Sequence, residues 1–406
     1  MKRFLLHLII YISILVVHSC SDDLSVPTPT GLQPTYCDKV IITYIAGENN
    51  IHNFIEYDLQ EMRQGTASIP ANCRMITYVD DLEKPRIYEF GPNKNEVVYK
   101  YGKDHCSTDP TTLKNVLNHI QTLYPAKEYG LILWSHGSNW LPAPQYTPAA
   151  NANTPQTFSF GIDSGKNDGS NSGPSMNIIP LADALSQLAH FEFIYFDACW
   201  MMGIETLYEL KDYADFIMGS PAETPGYGAP YDELMSAFFE QPVQPEKITD
   251  IVYEHYKKSS GILFSAVRSS ELENLARATS THIQHLFADR STPSTAGVQT
   301  YCAHILQTAY YPEFFDMNGF MYKHLSVDDY NTWLQQFDKT VVARKATPQW
   351  MSDIRSVYFT PEIVDMLHYG GISMHVPHHK YNSYGWNDAF RDFAWYRAAG
   401  WSATGW

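Results

Sequence analysis

Two apolar runs in this chain each stop at a reactive side chain, and no other feature constrains the fold as tightly. Leu131-Ile132-Leu133-Trp134-Ser135 leads into His136-Gly137, and Phe193-Ile194-Tyr195-Phe196-Asp197-Ala198 leads into Cys199. Continuous apolar stretches of this length, rich in β-branched and aromatic residues, predict strands covered on both faces. As parallel neighbours they would deliver both side chains to the carboxyl edge, where open α/β sheets build their sites. A histidine that accepts the thiol proton makes a thiolate, the form that attacks carbonyl carbon. The pair is therefore the plan of thiol-based hydrolytic chemistry.

The rest of the pattern fits such a sheet. Lys39 to Ala46 and Cys73 to Val79 predict strands, with helices over about 51–65 and 111–123. Ile178 to His190 is amphipathic, a helix follows Cys199 to about Leu210, and Phe216 to Met218 and Gly261 to Val267 predict further strands. This βαβ rhythm predicts an α/β fold over residues 37–268, with a mostly parallel central sheet and helices on both faces. Over 269–406 the pattern turns mainly helical (about 270–288, 296–310 and 327–345), and Gly371 to Val376 predicts a late strand that rejoins the sheet. Leu141 to Ser175, between the two site strands, is an irregular insertion dense in Gly, Ser, Asn and Asp. A loop of that length inside a compact domain is usually functional or mobile.

Chemistry assigns the roles. Cys199 would attack the scissile carbonyl to give a thioester, and His136 would protonate the leaving amine and later activate water. Gly137, lacking a Cβ, can bring its N–H close to the developing oxyanion, with the Cys199 N–H as second donor. A helix starting just after Cys199 would place positive dipole near the thiol. No third orienting carboxylate is legible in the sequence.

The formal net charge of −16 argues against a nucleic-acid partner. It suits cationic substrates or a bound cation, and equally a solvated acidic surface. Lys2-Arg3 precedes an apolar stretch from Phe4 to Val17, too short to span a bilayer but suited to a secretory leader. Val17-His18-Ser19-Cys20 resembles a bacterial lipobox, which predicts a leader over 1–19, a lipid on Cys20 and a tether over 20–36. Ser21-Asp22-Asp23 resembles the surface-export signal of some outer-membrane lipoproteins and reads equally as a polar spacer. Cys37, Cys73, Cys106 and Cys302 allow three disulfide pairings or none, and their spacing suggests no zinc site.

Tyr129 to Gly137, Asp197-Ala198-Cys199 with Met202-Gly203-Ile204-Glu205, Tyr208 to Asp215 and Ser220 to Gly228 together resemble the clostripain family of caspase-like cysteine peptidases. Gly47-Glu48-Asn49-Asn50 and Gly370 to Ser373 are weaker echoes. The resemblance implies a caspase-like three-layer sandwich and a Cys199–His136 dyad. It also implies an acidic first specificity pocket for Arg or Lys, in which Asp197 is one carboxylate. The Ser220 loop departs from the family: Pro221-Ala222 stand where relatives carry acidic residues, leaving Glu223, and Tyr227 occupies a position that is acidic in some of them. Relatives are often cut between the two motifs after a basic residue, and Lys166 is the only Lys or Arg between Gly137 and Ala198. The chemistry itself requires no cofactor; calcium is implied by the resemblance alone. Asp163 to Gly169 lacks EF-hand spacing, while Asp80-Asp81 at a strand end could contribute ligands or form a solvated turn. The expectation is thus an exported, lipid-anchored, monomeric cysteine endopeptidase acting on peptides or proteins. A surface lipoprotein using the fold as a binding scaffold, or a thiol acyl-transferase of the same fold, are the alternatives.

Overall fold

A computed structural model describes residues 31–92, 94–142, 159–301, 314–352 and 360–406. The predicted leader, Cys20 and Cys302 lie outside the described residues, as does 143–158 of the insertion. In chain order the first strands are β1 (Cys37–Ala46), β2 (Cys73–Asp80), β3 (Arg86–Gly91), β4 (Lys94–Lys100), β5 (Ala126–Trp134), β6 (Phe191–Asp197), β7 (Ala214–Gly219), β8 (Leu263–Arg268), β9 (Phe315–Asp316) and β10 (Val341–Ala346). Among the described residues, all but β9 form one sheet ordered β10-β8-β7-β6-β5-β1-β2-β3-β4. The five central strands from β2 to β7 are parallel, and the outer pairings on each side are antiparallel.

The alternating side chains of the two site strands explain why both are wholly apolar. Leu131, Leu133, Ile194 and Phe196 enter one buried cluster, whereas Ile132, Trp134, Phe193 and Tyr195 enter the other. The first cluster is closed by α2 (Pro110–Leu123), α3 (Ile178–Leu185), α4 (Ile204–Leu210) and α7 (Leu272–Leu286). The second is closed by α1 (Ile55–Gly65), α5 (Tyr231–Phe238) and α6 (Pro245–Tyr256). Helix α2 illustrates the local code. Asp109 caps it by accepting from Thr111 N at 2.7 Å and Thr112 N at 3.2 Å, and Pro110 fills the first turn. Leu113, Val116, Leu117 and Ile120 then form one apolar stripe, all fully buried.

Several expectations are corrected. The Gly371–Val376 segment does not rejoin the main sheet: β13 (Ser373–Met374) pairs with β9, while β11 (Gln349–Ser352) and β12 (Thr360–Ile363) form a separate ladder. The predicted helix over 327–345 ends at Thr340 as α9 (Val327–Thr340), and its last residues become edge strand β10. Val341-Val342 favours a strand, and an open edge beside β8 receives it. The described part of the predicted 296–310 helix is turn and bridge rather than helix. The β3–β4 hairpin was not legible from sequence. The helix after the nucleophile begins only at Ile204, five positions beyond Cys199, so its dipole does not act directly at the thiol. Cys37, Cys73 and Cys106 are free and buried, which rules out the Cys37–Cys73 bridge. The C-terminal aromatics form the expected clasp: Trp395 lies edge-on to Tyr208 at 5.6 Å and Trp401 packs on Phe287 at 4.4 Å.

Candidate active site

Register settles where the two reactive groups go. Trp134 of β5 pairs with Asp197 of β6, and each lies two residues ahead of its reactive side chain. A Ser135 N to Asp197 O bond of 3.4 Å carries the pairing one step further. His136 and Cys199 therefore leave adjacent parallel strands side by side at the carboxyl edge. Gly137 packs so closely that a Cβ there would stand 2.4 Å from the Cys199 carbonyl oxygen, so the position is closed to any other residue.

The hydrogen-bond pattern leaves suitable donors in place. Gly137 bridges Phe160 as the wide member of an antiparallel pair, flanked by Ser138 N to Ser159 O at 3.0 Å and Gly161 N to His136 O at 2.8 Å. That ladder does not use the Gly137 N–H. Nor does any backbone carbonyl among the described residues accept from the Cys199 N–H. Trp200 follows with a φ of 60°, a left-handed conformation unusual for a bulky residue. It is held there by Trp200 N to Ala222 O at 2.8 Å and Nε1 to Tyr301 O at 2.7 Å.

Sequence reading missed Asn50, whose Oδ1 lies 2.7 Å from His136 Nε2. An amide oxygen only accepts, so Nε2 carries the proton and Nδ1 keeps the lone pair. The signal was present in the Gly47-Glu48-Asn49-Asn50 turn, though nothing in its spacing pointed at the histidine. Asn49 stitches the same turn to the strand ends, donating to Ala46 O and Ile162 O at 3.0 Å each.

Burial sets the resting charges. It pushes the Cys199 thiol up to about 11, with the nearby Glu223 carboxylate adding to the effect, although Thr224 N donates to Sγ at 3.4 Å. It lowers His136 to about 4. Cys199 keeps some exposed surface, yet the densely packed walls dominate, and thiol and imidazole are both neutral near pH 7. Proton transfer must then accompany attack rather than precede it.

Asp197 points away from the thiol into a second acidic space. Its Oδ2 accepts from Ala229 N at 3.0 Å and Tyr231 Oη at 2.9 Å, and burial raises it to about 6. Asp58 of α1 faces it electrostatically, fully buried and with neither oxygen receiving a hydrogen bond. Glu61, one helical turn on, is raised by burial to about 7. None of these three carboxylates forms an ion pair among the described residues. Asp58 and Glu61 escaped sequence reading because they lie on an ordinary amphipathic helix. Glu223 is buried beside the thiol, whereas Tyr227 is 58% exposed, edge-on to Phe54 and Tyr57. Lys166 lies on an exposed stretch whose backbone N donates to Glu48 Oε1 at 2.7 Å.

A strand-end Cys and His facing one another on a caspase-like sheet agree with the comparisons to known proteins. The clostripain family pattern matches residues 43–406. The chain belongs to the clostripain family. It is similar to a secreted C11 cysteine protease from Bacteroides thetaiotaomicron, solved with an irreversible peptide inhibitor. The two are 28% identical with a TM-score of 0.76, covering 90% of this chain and 99% of that one. It is also similar to an inactive zymogen C11 protease from Parabacteroides distasonis, at 26% identity and a TM-score of 0.74, covering 91% and 99%. No curated protein sequence matches. Family and structural neighbours make this clostripain-family chain a cysteine peptidase with a caspase-like fold. Among its described residues, no helix is long and apolar enough to cross a membrane.

Proposed function

We propose that this clostripain-family peptidase is an exported, lipid-anchored endopeptidase that cleaves after Arg or Lys, with Cys199 as nucleophile and His136 as acid and base. The observation that carries the dyad is the Trp134–Asp197 register, which sets the two groups abreast. His136 Nδ1 takes the thiol proton as sulfur attacks, the Gly137 and Cys199 amides receive the oxyanion, and the imidazolium protonates the leaving amine. Water then opens the thioester with His136 as base. Basic preference is supported by Asp58, Glu61 and Asp197, three buried carboxylates beneath the Ser220–Tyr227 loop with no cation of their own. A guanidinium would satisfy Asp58 and relieve the repulsion. The Phe54–Tyr57–Tyr227 aromatics supply an apolar wall for its aliphatic stem. The test is a peptide library resolved by the residue before the cut: equal turnover of basic and neutral residues there would refute the preference. Export and anchoring rest on the leader and Cys20; metabolic labelling with a radioactive fatty acid, lost in Cys20→Ala, is their check.

Asn50 acts as a positioning residue. Burial disfavours imidazolium, so kcat/KM should hold down to mildly acid pH and fall as pH drops through about 4, where His136 gains a proton and ceases to be a base. In Asn50→Asp a carboxylate beside Nε2 favours the charged ring, raising its pKa, and the acid limb should move upward by about 1–2 pH units. An unmoved limb would show that Asn50 does not govern the histidine.

Lys166 is the proposed self-processing site, since exposed polar loops are where cleavage concentrates. Purified wild type should yield two bands on a denaturing gel. Lys166→Ala should stay a single chain, as should Cys199→Ala. A persistent single band in active wild type would count against processing.

A further inference from the structure

Three carboxylates converge at the opposite side of the His136 support, outside the peptidase site. Glu48 follows β1, Asp80 ends β2, and Asp163 belongs to the loop after β5. All three are buried to 1% exposure or less, and one oxygen from each lies within 4.8 Å of the others. Like charges at such distances repel strongly in a dry interior unless something neutralises them.

The hydrogen bonds in the cluster are unevenly spread. Asp163 Oδ2 accepts from Ser107 N and Oγ at 2.5 and 3.0 Å, and its Oδ1 from Gly165 N at 2.8 Å. Glu48 Oε1 accepts from Ser164 Oγ, from Lys166 N at 2.7 Å and from Asn167 N at 2.8 Å. The remaining atoms are stranded: Glu48 Oε2 and both oxygens of Asp80 are buried and receive no hydrogen bond. Buried acceptors left without a donor are costly, about 1–3 kcal/mol each and more when charged. No lysine or arginine pairs with any of the three among the described residues. A neutral acid does not resolve this either, because a protonated Asp80 would carry an O–H with no acceptor placed for it.

We propose that Glu48, Asp80 and Asp163 hold a calcium ion. The donors are all oxygen, with neither His nor Cys among them, which favours a hard cation over zinc or copper. Magnesium keeps most of its water and is usually held by one or two carboxylates, whereas calcium accepts several, in one- or two-oxygen contacts and irregular geometry. Asp80, with both oxygens open, can bind through both. Calcium dependence belongs to the family resemblance, but this site is argued from the stranded oxygens.

Such an ion would fasten three segments at once: the ends of β1 and β2 and the loop carrying Lys166. Two residues beyond Glu48 stands Asn50, the partner of His136. Filling the site thus sets the turn that positions the imidazole, a consequence that rests on the peptidase reading, while the binding itself does not.

The test separates the two by using the full chain carrying Cys199→Ala, stripped with chelator and melted against added calcium chloride. Calcium at millimolar concentration should raise the melting temperature by on the order of 5 °C, with magnesium well behind. Terbium alone should give tyrosine-sensitised emission that calcium displaces, since Tyr44 and Tyr78 stack beside the cluster. Asp80→Asn, and Glu48→Gln as a second variant, should lose both responses. In chelator they should melt no lower than their parent, because an amide removes repulsion. Asp168→Asn, an exposed carboxylate in the same loop, should keep both. No calcium-dependent rise in the parent, or an undiminished rise in Asp80→Asn, would overturn the site. An equal response to magnesium would overturn the choice of ion.

Discussion

Replacing Cys199 by alanine should abolish peptide cleavage, with kcat/KM falling at least about 10⁴-fold and the melting temperature almost unchanged. The sulfur supplies the only nucleophile at the strand-end junction, and its loss leaves no thioester to form. His136→Ala should fall by a similar factor. With the thiol near 11, loss of the base leaves almost no thiolate at neutral pH. The double variant should be no worse than either single one, since the two groups act as a unit. Cleavage of a chromogenic Arg substrate by each variant, beside its circular dichroism melt, is the measurement. Wild-type-like turnover in Cys199→Ala would end the assignment.

The second large effect concerns selectivity. Asp197→Asn keeps an oxygen that can accept from Ala229 N and Tyr231 Oη, so the loop should stay in place. What changes is charge. Cleavage after Arg should lose about 10²–10³-fold in kcat/KM, the scale for removing one side of a buried charged pair. Cleavage after a neutral residue should change little. Asp58→Asn should act in the same direction, and because the two carboxylates couple, their effects should not simply add. Equal losses on basic and neutral substrates would mean that Asp197 only supports the loop.

The parts of this molecule legible in advance were those encoded locally. Leu131 to Trp134 and Phe193 to Phe196 announce buried strands because each residue meets an apolar layer on one face or the other. The residue that steadies His136 was not so legible. Asn50 sits eighty-six positions before the ring, and only the β1–β5 pairing brings them together. Asp58 was hidden for a different reason. A charged residue on an amphipathic helix normally faces water, and its burial depends on how α1 leans against the Asp197 space. The failed late strand has the same origin: Gly371 to Val376 has strand composition, but the sheet edge it was expected to join is taken by Val341–Ala346.

The turn bearing the nucleophile leans on distant parts of the polypeptide. Trp200 is anchored to Tyr301 O, and Met202 O accepts from Ser373 N at 2.9 Å. Contacts spanning a hundred residues or more close late in folding. A nascent or unfinished chain therefore carries its sulfur without the brace that aims it, and competence arrives only with the last segments, a safeguard of timing that keeps the newborn protease from attacking the machinery that makes and moves it.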